Sequence, residues 1–450
     1  MFDIKIGRCL LFSLISFAAL LLLEGGSQGA EVSPQDVGRI SGQLRGSFAV
    51  GHSIRSLNVI GTLGENRPVN VHLWYPARRP DDCENSDNSG GKGHYLGCSA
   101  TPSVYTSRLF GVPLLPQWDP LSWTISSSES FENLPMAQGH HPFPVIIYSH
   151  GATANAIDNV YMLEALASFG FIVAAPDHLN DTQDDVRIDF INAQAGFELI
   201  HCLDGLAPPC ARPDLPKTMT DRVHDISAVI DALPLWFESR WVESRVDISR
   251  VGVLGHSRGG ATALAAAGGS TTWGFPAEPR VKAIMGLASG GLPAISGTNV
   301  QAVTVPALLV AGTLDASAPP TFSQGAFDML ASTEKDLILI ENAKHRHFQS
   351  GFCAQTQNSG AVAAASTRAI LDLQRIQTLV TGPSVGVAMD FCRFDTFTNP
   401  SDIRPLVAQL TGFNVTPDNV PTTGLDSDEV KEEVIELAVK FFRDALERDR

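Results

Sequence analysis

The chain has 450 residues, 44% of them hydrophobic and 18% charged, with a formal net charge of -16 at pH 7. That composition suits a globular protein with one large core or two domains. So acidic a chain lacks the positive footprint that nucleic acid or anionic lipid would need, which excludes those partners.

Lys5 and Arg8 precede an apolar run from Cys9 to Leu23, and small residues follow near Ser27, Gly29 and Ala30. This order predicts a signal peptide over residues 1–30, cleaved near Ala30, although Gln28 fits the small-residue rule poorly. An uncleaved anchor is the alternative, but the run is short for a membrane span. The mature chain is therefore expected to be secreted or periplasmic, without stable membrane insertion. Seven cysteines occur, and Cys9 leaves with the signal. In an exported protein the remaining six are expected in disulfides. Pairing sequence neighbours gives Cys83–Cys98, Cys202–Cys210 and Cys353–Cys392, one of 15 possible connectivities. No C-x-x-C or H-E-x-x-H spacing suggests a metal site, and no internal repeat is visible.

Residues 35–48 show no clear element. Asn58 to Thr62 and Val69 to Tyr75 read as paired strands, the second alternating and ended by Pro76. Residues 78–141 are loop-like, a long excursion in which Trp118 and Trp123 either roof a substrate pocket or pin the loop to the core. Pro144 to Tyr148 is a buried strand, Asp158 to Phe169 a helix, and Phe171 to Ala175 a second buried strand, the rhythm of a βαβ unit. Asp221 to Leu233 has helical spacing at Val223, Ile226, Val229 and Ile230. Ala283 to Leu287, Ala307 to Val310 and Leu337 to Ile340 are further strands, with a helix over Phe322 to Ala331. Residues 351–425 form a second excursion. An amphipathic helix closes the chain from Ser427 to Glu447, its apolar stripe formed by Val430, Val434, Leu437, Ala438 and Phe441. The fold expected is one α/β domain over 31–450: a mostly parallel central sheet, helices on both faces and two long loop excursions.

The stretch Val251 to Gly260 stands at the centre of this pattern. Val251, Val253 and Leu254 form a short strand, Ala261 to Ala267 a helix, and Gly255-His256-Ser257-Arg258-Gly259 lies between them. The G-x-S-x-G spacing is that of a sharp strand-to-helix turn that exposes the serine hydroxyl, with glycine wherever backbone crowds the turn. Gly25-Gly26-Ser27-Gln28-Gly29 also fits the pattern but lacks the strand and helix around it. Ser257 is thus the candidate nucleophile, the alternative being a glycine-rich turn with an incidental serine.

A serine needs a base, and the base an orienting acid, in the chain order Ser, Asp or Glu, His. After Ser257 the only histidines are His345 and His347, and loop geometry favours His345. The carboxylates between are Glu278, Asp315, Asp328, Glu334 and Asp336. Asp315 alone follows the carboxyl end of a buried strand, where sites form in such sheets. The oxyanion donors expected are the amide of Arg258, next to the nucleophile, and that of Ala152 in the loop after Pro144 to Tyr148. His150 and His178 are read as packing residues.

At this point the chain resembles the α/β-hydrolase superfamily across nearly all of its mature length. The runs Pro144-Val145-Ile146-Ile147-Tyr148-Ser149-His150-Gly151 and Gly170-Phe171-Ile172-Val173-Ala174-Ala175-Pro176-Asp177-His178, with Leu73-Trp74-Tyr75-Pro76, look like the platelet-activating-factor acetylhydrolase and dienelactone-hydrolase-like branch. The resemblance implies the nucleophile at Ser257, the base at His345 and an oxyanion amide at Ala152. It departs in one place. The acetylhydrolases carry their acid after the strand matching Ala283 to Leu287, where this chain has Ala288-Ser289-Gly290. Asp315-Ala316-Ser317-Ala318-Pro319 instead resembles the dienelactone-hydrolase and bacterial polyester-hydrolase arrangement. Gly-His-Ser-Arg-Gly-Gly is also similar to the plant chlorophyllase elbow.

The expectation is an exported serine hydrolase that cleaves a small-molecule or lipid-like carboxylic ester through Ser257, His345 and Asp315 and an acyl-enzyme, without cofactor or metal. The alternatives are an amide or peptide hydrolase, a phospholipase-A2-like acetylhydrolase using the same triad, and a non-catalytic binding protein on this fold.

Overall fold

The structure, a computed structural model, describes residues 45–78, 101–108, 122–138, 141–152, 154–179, 181–182, 215–237, 245–290, 292–315, 318–349 and 427–447. The expected signal peptide, all six cysteines, Trp118 and the excursion at 351–425 lie outside these residues.

Ten strands form one sheet: β1 (Ala49–Ile60), β2 (Asn66–Ala77), β3 (Pro102–Arg108), β4 (Ser122–Glu132), β5 (Phe143–Ser149), β6 (Ile172–Pro176), β7 (Val246–His256), β8 (Val281–Leu287), β9 (Ala307–Gly312) and β10 (Lys335–Ile340). Their order is β10-β9-β8-β7-β5-β6-β2-β1-β4-β3. From β10 to β6 every pairing is parallel, while β2 runs antiparallel to both β6 and β1. The α-helices among the described residues are α1 (Val160–Ser168), α2 (Leu215–Phe237), α3 (Arg258–Gly268), α4 (Leu292–Ser296), α5 (Pro320–Met329) and α6 (Ser427–Leu446).

The central strands read as continuous apolar runs because both faces are covered, and alternate residues serve alternate cores. Val145 and Ile147 of β5 pack with Val223 and Ile226 of α2 and Ala261 and Leu264 of α3. Ile146 and Tyr148 face the other way, toward Leu163 of α1 and Val430, Val434 and Phe442 of α6. Phe442 lies so close to β7 that a Cβ on Gly252 would be 2.5 Å from its ring. Truncating such a fully buried ring costs about 3–5 kcal/mol.

Two readings of the sequence are corrected in detail. The excursion at 78–141 contains two strands, β3 and β4, which extend the sheet beyond β1. β3 alternates little in polarity, so its period carried no signal. Trp123 falls on β4. The buried stripe of α6 is wider than expected: Ile435, Val439, Phe442 and Leu446 are buried beside Val430, Val434 and Ala438, whereas Leu437 and Phe441 lie at its margin. A helix lying flat on a sheet buries a broader face than a single 3.6-residue stripe.

Candidate active site

β7 ends at His256, and α3 begins at Arg258. Ser257 between them has φ 54° and ψ -119°. A non-glycine residue there stores on the order of 1–3 kcal/mol of backbone strain. The surroundings over-determine it. The Ser257 N–H donates to the Leu287 carbonyl at 2.8 Å, and its own carbonyl accepts from Gly260 and Gly290, each at 2.9 Å. Two motif glycines make the turn possible. A Cβ on Gly255 would lie 2.1 Å from the Gly259 carbonyl oxygen, and one on Gly259 only 1.8 Å from that of Ser149. The side chain of Ser257 remains partly exposed.

The loops after β9 and β10 are fastened together. Thr313 N–H donates to the Ile340 carbonyl at 3.1 Å, Leu314 N–H to that of Ala343 at 3.0 Å, and Asn342 N–H to the Thr313 hydroxyl at 2.8 Å. This brings Asp315 and His345 into contact: His345 Nδ1–H donates to Asp315 Oδ2 at 2.8 Å. The second carboxylate oxygen of Asp315 accepts the Ala318 N–H at 2.7 Å. Asp315 is 4% exposed and His345 8%. With Nδ1 donating, Nε2 of His345 carries the lone pair. The His256 ring, adjacent in sequence to Ser257, lies 4.7 Å from the His345 ring, and His256 Nε2–H donates to the His345 carbonyl at 3.2 Å. His345 and the elbow are thus neighbours.

The remaining candidates stand elsewhere. His347 is buried and accepts the Lys344 N–H at its Nδ1 at 3.3 Å. Glu278 is bound by Arg280 at 2.7 Å; Asp328, Glu334 and Asp336 are exposed. Ser289, at the alternative acid position, is fully buried between Gly260 and Gly286, where a Cβ on either would come within 2.5 Å of its hydroxyl. A carboxylate of larger volume has no room there.

The loop after β5, which carries the candidate oxyanion amide, abuts the elbow. A Cβ on Gly151 would sit 3.4 Å from the Ser257 Cβ, so Gly151 borders the candidate nucleophile. Beneath this loop lies a polar layer that the sequence did not announce. Ser149 donates to His178 Nε2 at 2.9 Å, and His178 Nδ1–H donates to Asp225 at 2.9 Å. His178 N–H donates to His150 Nε2 at 3.1 Å, and His150 Nδ1–H to the Gly151 carbonyl at 2.7 Å. Arg67 closes the far end on Asp225. Burial, with Arg222 nearby, holds both His150 and His178 well below the ordinary imidazole range. Burial pushes Asp225 up to about 7 despite Arg67. Burial alone would raise Asp181 too, but the Arg222 and Arg258 guanidinium groups outweigh it and hold it below the usual range. The only hint in the sequence was polar: Arg222 and Asp225 interrupt the apolar stripe that Ile226, Val229 and Leu233 continue in α2.

Among the described residues no cluster of three or more His, Cys, Asp or Glu side chains suits a metal ion, and no helix is long and apolar enough to cross a membrane.

A strained serine elbow at the carboxyl end of a parallel sheet, with a His–Asp pair on the loops of neighbouring strands, defines a class before any relative is considered. Residues 42–185 match the family model described as platelet-activating factor acetylhydrolase, isoform II, and residues 210–378 match that described as PET hydrolase-like. The chain is 26% identical over 253 residues to cutinase est1 of Thermobifida alba, covering 56% of this chain and 69% of that one. It is 25% identical over 224 residues to the platelet-activating factor acetylhydrolase of Canis lupus familiaris, covering 45% of this chain and 47% of that one. It therefore spans less than half the length of the second relative. A solved ferulic acid esterase from Streptomyces cinnamoneus aligns over 92% of this chain and 93% of its own, at 18% identity and a TM-score of 0.49. The chain has the fold of the α/β-hydrolase superfamily, and the relatives it matches point to carboxylic ester hydrolysis.

Proposed function

We propose that the protein is an exported serine esterase working through Ser257, His345 and Asp315. The observation that carries this reading is the buried 2.8 Å bond between His345 and Asp315 beside the strained elbow of Ser257. Asp315 holds His345 in the tautomer whose Nε2 accepts a proton. Ser257 Oγ attacks the ester carbonyl as His345 takes its proton. The amides of Ala152 and Arg258 stabilise the tetrahedral oxyanion. His345 returns the proton to the leaving alcohol, which departs and leaves an acyl group on Ser257. Water, deprotonated by His345, releases the acid and regenerates the serine. No metal or cofactor takes part in these steps.

The relatives, a cutinase and an acetylhydrolase, support an acyl ester on a small or lipid-like alcohol. Initial rates on p-nitrophenyl esters of graded acyl length, set against the matching p-nitroanilides, test the class. Esters turned over at least about 100-fold faster are expected; comparable anilide rates would shift the assignment to an amidase. A phospholipid substrate is a second reading, favoured by the acetylhydrolase match over residues 42–185. Short-acyl phosphatidylcholine in the same assay separates it. Export rests on the basic and apolar N-terminal pattern of residues 1–30. N-terminal sequencing of the secreted protein, expected to begin near Glu31, tests it. The proposed pairs Cys83–Cys98, Cys202–Cys210 and Cys353–Cys392 predict no reactive thiol in the denatured, unreduced protein.

A further inference from the structure

One buried side chain, Arg222, reaches both segments that carry the amides assigned to the oxyanion hole, the loop after β5 directly and the Arg258 side chain through Asp181. Its Nη1 donates to the His150 carbonyl at 2.7 Å and to the Ser149 hydroxyl at 3.1 Å, and its Nη2 to the Gly151 carbonyl at 3.2 Å. Its Nε and Nη2 also meet Asp181 Oδ2 at 2.9 and 2.7 Å. The other oxygen of Asp181 takes the Arg258 guanidinium at 2.5 Å. Arg222 and Asp181 are each 1% exposed.

We propose that Arg222, acting through the Gly151 carbonyl and through Asp181, is a positioning residue that sets both oxyanion amides for the Ser257 reaction. The inference rests on the reading of Ser257 as nucleophile and adds to it the residue that aims its anion site. Three physical points carry it. A trans peptide is planar, so the Gly151 carbonyl and the Ala152 N–H point in opposite directions. Two side-chain donors, His150 Nδ1–H and Arg222, grip that carbonyl beside the Ala154 N–H at 3.4 Å, and whatever fixes the oxygen fixes the direction of the N–H. A cation on the oxygen side also polarises the peptide and strengthens its N–H as a donor. On the opposite wall, the Asp181–Arg258 bond anchors the residue whose amide opens α3. A guanidinium buried in the apolar stripe of α2 is costly, and an apolar side chain would serve packing as well. Its acceptors on the loop are the two carbonyls beside the Ala152 amide and the last hydroxyl of β5, which is the arrangement that aiming the loop requires.

The test uses the full-length mature protein. Arg222→Lys keeps the charge but cannot span the same acceptors. Asp181→Asn removes the bridge's charge, and Arg258→Met removes a partly exposed side chain while leaving its backbone amide. Circular dichroism establishes the folded state. Then kcat and KM for a p-nitrophenyl ester are measured, with affinity for an alkylboronic acid, which forms a tetrahedral anion on the nucleophile. A fall in kcat of about 10- to 100-fold is expected, with KM within about twofold and boronate affinity falling in step with kcat. A merely structural role would lower melting temperature and leave kcat and boronate affinity per folded molecule unchanged. That result in Asp181→Asn and Arg258→Met overturns the proposal even where Arg222→Lys fails to fold. Ser257→Ala runs alongside. If it stays active, the nucleophile reading fails; if it is dead while the network variants keep wild-type kcat, only the positioning proposal fails.

Discussion

Two regions of this molecule join a histidine to a carboxylate in nearly the same way. At the loops after β9 and β10, His345 donates to Asp315 at 2.8 Å; under the loop after β5, His178 donates to Asp225 at 2.9 Å and accepts from Ser149 at 2.9 Å. By distance alone the second is the more complete Ser–His–Asp line. What separates them is access and charge. Ser149 is the last residue of β5 and wholly buried, with Arg222 against its hydroxyl. Burial holds His178 well below the ordinary imidazole range, which disfavours the charged form that a base for Ser149 would have to take. Ser257 stands partly exposed on a turn with positive φ. A hydrogen-bonded triad becomes a catalyst only where a substrate can reach the serine and the imidazole can carry charge.

The sharpest break between the regions is expected from the serines. Ser257→Ala should lower kcat by at least about 10⁴-fold, while Ser149→Ala, removed from substrate, should cost no more than about tenfold. Equal losses in two folded variants would erase the distinction. The acids come next. Asp315→Asn should favour the wrong tautomer of His345 and lower turnover by about 10⁴-fold, as in a comparable triad, whereas Asp328→Asn, exposed on α5, should leave turnover within about twofold. Steady-state kinetics with circular dichroism checks both.

The smallest effect concerns pH and belongs to the buried line. Asp225 is raised from 3.8 to about 7 in the folded state. The folded protein therefore holds this proton more tightly than the unfolded chain. Its contribution to stability is fully present below about pH 4 and is lost as pH rises toward and through 7. In Asp225→Asn that part of the slope should vanish between pH 4 and 7. Urea midpoints across this window measure it, and an unchanged slope would show that Asp225 does not titrate there.

The serine elbow was legible because it is local: strand, turn and helix occupy the single stretch Val246–Gly268, and Gly255 and Gly259 have a steric reason. Asp315 and His345 were legible as strand-end residues, and the fastening of their loops needed only the parallel order of β9 and β10. The polar layer under the loop after β5 was not. It joins residues from β2, β5, the loop after β6, and α2, and no spacing along the chain records such a meeting. Arg222 carried a trace of it, a charge on an apolar stripe, which a reading by hydrophobic period passes over. β3 and β4 were missed for a different reason: burial alternates along β3 but polarity does not follow it, with Ser103 and Tyr105 buried and Val104 exposed, and the buried positions seen on β4 are the serines Ser127 and Ser130.

The most direct test of the central claim is fluorophosphonate labelling of the folded protein, followed by peptide mapping. The account predicts a single adduct on the peptide that carries Ser257, none on Ser149, and loss of esterase activity in proportion to labelling. An adduct on another serine, or full activity after stoichiometric labelling of Ser257, would contradict it.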